Sequence, residues 1–116
     1  MLDEQSQPKP NPRVPVPRDL PTLREIAEKA AQSCGAVKVI LFGSVARGDA
    51  SDSSDLDLLL VIPDNVSWLD AGMKALDAIG RRTWSLDLVP MLNSEFVNGE
   101  SALARVVARE GIVLYG

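Results

Sequence analysis

The sequence predicts a small α/β domain in which helices pack against a mixed sheet, and three observations lead there. Two largely apolar runs read as strands: 37–42, near-continuous and so buried on both faces, and 55–62, which opens with carboxylates. Segments with apolar residues at i, i+3 and i+4 alternate with the strand-like runs, as helices covering a sheet do. The link between the first two strands, residues 43–54, is short. The resulting order is helix, strand, turn, strand, helix, strand, helix, strand.

With 116 residues the chain makes one domain, able to remove about 60–70% of its unfolded surface from water. Residues 1–18 carry five of the eight prolines among Lys9, Arg13 and Arg18. They read as an extended, flexible arm, with a strap packing on a partner or on its own domain as the alternative; residues 19–116 form the domain. From Thr22 to about Ser33, Leu23, Ile26, Ala27, Ala30 and Ala31 define one helix face, and Gly35 suits its stop. The first strand is Val37–Phe42, in the middle of the sheet. A Gly-Ser turn and a short helix to Arg47 follow, closed by Gly48. Asp55–Ile62 is the second strand, ended by Pro63. Ser67 with Asp70 resembles a capping box, and Leu69, Met73, Leu76 and Ile79 mark a helix ending near Gly80. Trp84–Val89 reads as a third strand stopped by Pro90. A helical turn over 94–98, a helix over 100–109 and a short edge strand at 112–115 complete the order. Cys34 reads as core filling at a helix end, and Trp68 and Trp84 as core rather than base-stacking platforms.

Composition removes several functions. A net charge of −4 argues against sequence-independent nucleic-acid binding, which needs a basic face. One cysteine and no histidine exclude a disulfide framework, a thiolate cluster, a histidine base and a Ser-His-Asp triad within this chain. No apolar run suggests a signal peptide or a membrane span, so a cytoplasmic location is expected.

What remains for chemistry is carboxylates, hydroxyls and arginines. Asp55 and Asp57 are two apart on a strand, so they leave the same face with Cα atoms roughly 6–7 Å apart. Two carboxylates that close repel when both are ionised, and a divalent cation converts the repulsion into coordination. Mg²⁺ favours such oxygen donors. Asp87, a charge within the apolar run Trp84–Val89, is the natural third ligand if a neighbouring strand brings it to the pair; alone it reads equally as an edge-exposed residue. Gly43 lets backbone approach a ligand, Ser44 offers a hydroxyl and N–H groups for phosphate, and Arg47 offers a planar fork.

Gly43-Ser44, ten intervening residues and Asp55-Leu56-Asp57 resemble the Gly-Ser-x₁₀-Asp-x-Asp signature of the DNA polymerase β-like nucleotidyltransferases. The string Phe42–Gly48 with Ser54–Leu58 is similar to the minimal nucleotidyltransferase family, and the resemblance extends from about Leu20 to Tyr115, including Asp87. It implies the polymerase β-like nucleotidyltransferase fold, two Mg²⁺ ions held by Asp55, Asp57 and Asp87, and phosphates gripped by Gly43, Ser44 and Arg47. The implied reaction moves a nucleoside monophosphate, AMP from ATP, onto a hydroxyl. Stand-alone members resemble antitoxins that modify a tyrosine of a HEPN-domain ribonuclease toxin, which makes such a toxin the expected partner. Two other readings stay open: a nucleotide- or toxin-binding antitoxin module without turnover, and an aminoglycoside-type enzyme acting on a small molecule. Homo-oligomerisation also stays open, and Tyr115 reads as a terminal strand residue rather than a self-modification site.

Overall fold

The computed structural model describes residues 15–116. Residues 1–14 of the expected arm lie outside the described residues. Within the remainder of that arm, Val16 is only 4% exposed and packs into the core.

Nine elements follow in order: α1 (Leu20–Cys34), β1 (Lys38–Phe42), α2 (Gly43–Arg47), β2 (Leu56–Ile62), α3 (Trp68–Ile79), β3 (Leu86–Leu92), α4 (Asn93–Asn98), α5 (Ala102–Glu110) and β4 (Ile112–Tyr115). The strands form one four-stranded sheet in the order β3-β2-β1-β4. β1 is antiparallel to both β2 and β4, while β2 and β3 are parallel. β2 is therefore flanked on both sides, and six of its seven residues are buried, as its unbroken apolar run requires. The predicted mixed sheet with helices is the observed architecture.

Side-chain alternation along the strands separates two cores. Val39, Leu41, Leu58, Leu60 and Ile62 face α1 and α3; Ile40, Leu59, Val61 and Met91 face Ala104 and Val107 of α5. α1 and α3 bury small residues in this core, Ala27, Ala30 and Ala31 beside Leu23 from one and Ala71 and Ala75 from the other, and the two helices lie close to each other. Caps fix the helix starts. Asp19 accepts from Thr22 N–H at 3.0 Å, Ser67 from Asp70 N–H at 3.3 Å and Ser101 from Ala104 N–H at 3.1 Å.

Several details differ from the sequence reading, among them the start of β2 at Leu56, which leaves Asp55 just before the strand. α1 starts at Leu20, two residues early, because Asp19 caps it. β3 starts later, at Leu86, and runs through Pro90 to Leu92. A proline is tolerated there because β3 is an edge strand, with one side free of hydrogen-bond partners. Trp68 is 60% exposed and is not core, while Trp84 is partly buried against it. Cys34 is partly buried and packs at the end of α1 as expected. Among the described residues, no helix is long and apolar enough to cross a membrane.

Candidate active site

The sheet register assembles the candidate residues. Asp57 stands opposite Phe42 of β1 and beside Asp87 of β3. In a parallel pair, partnered residues project from the same face, so the two carboxylates leave the sheet together. They share that face with Leu59 and Met91, the side covered further along by α5. Asp55, two residues before Asp57, precedes the first β2 residue; there the Leu56 N–H donates to the carbonyl of Ser85 at 2.9 Å and ties the entries of β2 and β3 together.

Asp57 is half-buried, whereas Asp55 and Asp87 are exposed. The cost expected from burying an unpaired Asp87 within an apolar strand therefore does not arise, because β3 lies at the sheet edge. The mutual field is nonetheless evident at Asp57. Partial burial raises its pKa above the ordinary value of 3.8, the negative charges of Asp87 and then Asp55 raise it further, and Arg47 opposes them. Asp87, Asp55 and Arg47 thus all act on the charge of Asp57.

On the other side of β2, α2 begins directly where β1 ends. Gly43 has φ +76°, a left-handed conformation, and a Cβ there would run into the Asp57 carboxylate. The glycine is needed on both counts, and its backbone lies against the carboxylate at the centre of the cluster. Ser44 follows in the same turn, with Arg47 one turn on and Gly48 closing the helix at φ 82°. Arg47 directs Nε to Asp49 Oδ2 at 3.3 Å and Nη1 to Glu110 Oε1 at 3.9 Å. Glu110, which sequence reasoning passed over, thus steadies the arginine from the end of α5. Nothing in the spacing of residues 47 and 110 announces that pairing.

The donor set offered to a cation is made of carboxylate oxygens, which suits a hard ion such as Mg²⁺. Among the described residues, no group of three Asp, Glu or Cys side chains already stands at coordinating spacing. The arrangement is one of gathered, mutually repelling carboxylates beside a glycine turn.

A family model, the nucleotidyltransferase domain, matches residues 21–114. The chain belongs to this family. Solved structures agree with the assignment. A protein assigned as a minimal nucleotidyltransferase is 35% identical, with 81% of this chain and 94% of that one covered and a TM-score of 0.54. A protein from Sulfolobus solfataricus assigned to the nucleotidyltransferases is 27% identical, with coverage of 81% and 77% and a TM-score of 0.54. A toxin–antitoxin structure with AMP-PNP shares the fold at 21% identity, with coverage of 80% and 73% and a TM-score of 0.54. No curated protein matches the chain. The four-stranded mixed sheet of this nucleotidyltransferase domain is thus the polymerase β-like fold that the Gly-Ser and Asp-x-Asp motifs implied.

Proposed function

We propose that this nucleotidyltransferase domain transfers AMP from ATP, with Mg²⁺, onto a hydroxyl of a protein, a tyrosine of a HEPN-type toxin that it silences. The observation that carries the reading is the in-register pairing of Asp57 with Asp87 across β2 and β3, with Gly43 against Asp57 on the opposite flank. The likeness to a toxin–antitoxin structure with AMP-PNP supports the choice of nucleotide and of partner.

In this reading Asp55, Asp57 and Asp87 hold Mg²⁺, which when bound screens the carboxylates and polarises the phosphate oxygens. Gly43 and Ser44 hold the terminal phosphates through backbone N–H groups and the hydroxyl. Arg47, oriented by Glu110 and Asp49, faces their charge. The acceptor oxygen bonds to the α-phosphorus as the bond to the pyrophosphate oxygen breaks, and the hydroxyl proton passes to Asp87. Attacking and leaving oxygens lie on opposite sides of the phosphorus, so positioning supplies most of the catalysis.

The test is label transfer from α-³²P-ATP to a co-expressed toxin partner, with wild type and Asp57→Asn. Label on the partner with wild type alone is expected; label persisting with Asp57→Asn would falsify the site assignment. A second reading, nucleotide or toxin binding without turnover, draws on the carboxylates' not standing at coordinating spacing. Partner binding without label in both proteins would select it. The domain's cytoplasmic location belongs to the same proposal and is checked by fractionation.

A further inference from the structure

The proposed chemistry has a direction across the sheet. Gly43 and Ser44 lie on the β1 flank of Asp57, and Asp87 lies on the β3 flank. With the pyrophosphate leaving towards α2, the acceptor arrives from the β3 side, where the sheet ends. Two otherwise unused features lie along that edge, the second on the α3 face of the sheet, opposite the face that carries Asp57 and Asp87.

One is the loop from α3 to β3. Arg81, Arg82, Thr83 and Trp84 line an open depression, and the Arg82 guanidinium lies 5.9 Å from the centre of the Trp84 ring. Neither arginine is in an ion pair with a described residue; the pairs there use Arg18, Arg47 and Arg109. No acidic residue occurs between Asp77 and Asp87, so the loop is a positive island in a chain of net charge −4. Because β2 and β3 are parallel, the loop enters the sheet at the end that carries Asp55 and Asp57.

The other feature is a groove of about 180 Å³ between α3 and β3, lined by Trp68, Leu69, Met73, Leu76, Leu88 and Pro90. Leu69 is 57% and Met73 62% exposed, although the helix face that meets the core is made of Ala71 and Ala75. Large apolar side chains gathered at one edge mark an interaction surface. Pro90 removes an N–H from β3, which disfavours pairing with another strand and leaves side-chain docking. The apolar groove and the negative net charge favour a polypeptide over a nucleic acid.

Resting on the reading above, we propose that the α3–β3 edge is the acceptor dock and takes an acidic, apolar-faced polypeptide segment. Its apolar side chains enter the groove, its carboxylates meet Arg81 and Arg82, and its hydroxyl is carried round the open edge to Asp87.

Two short fluorescein-labelled peptides test this by anisotropy on the full chain with Mg²⁺ and a non-hydrolysable ATP analogue. Each has one tyrosine among leucines, flanked by glutamates in one peptide and by lysines in the other. The glutamate peptide is expected to bind about tenfold more tightly at low salt, with the preference shrinking as salt rises. The preference should vanish in Arg81→Gln/Arg82→Gln and reverse in Arg81→Glu/Arg82→Glu. Met73→Ser should weaken the glutamate peptide several-fold, with nucleotide affinity unchanged in all variants. Equal binding of the two peptides, binding of neither, a salt-independent preference or one that survives the arginine changes overturns the proposal. So does loss of nucleotide affinity in the glutamine variant, which would assign the arginines to ATP. A dimer dissolved by Met73→Ser in light scattering also overturns it, by giving the groove to a second copy. Should the arginine variants fail to fold, the salt titration of the wild type decides. A glutamate peptide that binds selectively but is never labelled from ATP upholds the dock and sinks the transfer reading; labelling without charge preference does the reverse.

Discussion

Gly43 and Asp57 constrain each other, and both can be probed without knowing the acceptor. Replacing Gly43 with alanine forces a side chain into the left-handed region and into the Asp57 carboxylate. The backbone strain alone costs about 1–2 kcal/mol, and the collision adds to it. Urea unfolding of Gly43→Ala should show a loss at least that large, together with loss of nucleotide binding. Asp57 carries a raised pKa, so its ionisation is less favourable in the folded chain than in the unfolded one. Its contribution to stability is therefore complete in acid, below its unfolded pKa, and is lost as pH rises through the raised folded value. At neutral pH without metal, Asp57→Asn should raise the melting temperature by about 2 °C, a small effect because the group is only half-buried. The gain should disappear below the ordinary aspartate pKa of 3.8. A melting temperature lowered at neutral pH would mean that the repulsion does not act on folding. The Asp55–Asp57 spacing could be read from the sequence, but β2 begins only at Leu56, so strand alternation covers Asp57 and not Asp55. Exposure of Asp87 could not be read, since nothing in Leu-Asp-Leu-Val distinguishes an edge strand from a central one.

Helices α1 and α3 show what pattern reading captures and what it misses. Both lie near the positions that apolar spacing and capping residues predict, but Leu69 and Met73 face outward while Ala71 and Ala75 meet the core. Periodicity detects an apolar stripe and does not say which stripe touches the sheet. Contact through alanines leaves no room for growth, so Ala75→Leu should destabilise by about 1–3 kcal/mol in chemical denaturation. Met73→Ser, on the exposed side of the same helix, should stay within about 0.5 kcal/mol. Equal effects at the two positions would contradict the packing described. The continuation of β3 through Pro90 was hidden for a related reason. Proline stops a central strand and is accepted at an edge, and strand order is a tertiary property.

At the scale of the whole molecule, the sequence boundary between arm and domain lies at residues 18 and 19, yet Val16 is buried with the residues of α1 and the sheet. A chain beginning at Asp19 should therefore melt below one beginning at Pro15, and Val16→Ala in the full chain should cost about 1–2 kcal/mol. Identical melting curves would make Val16 a bystander. The broad architecture was legible because element order, strand burial and the short link after β1 all pointed to one sheet. Which strands would be neighbours, and hence that Asp87 would stand beside Asp57, depended on the crossover through α3 that lays β3 parallel to β2, which no local pattern encodes. That neighbourhood has a consequence for errors. The pairing of β2 with β3 runs unbroken from Leu56 with Leu86 to Ile62 with Leu92. A slip of one residue would not merely displace Asp87; it would turn the side chain to the opposite face and push leucines into water. The carboxylate cluster is consequently either whole or missing, and a misregistered chain betrays itself by its stickiness instead of working badly.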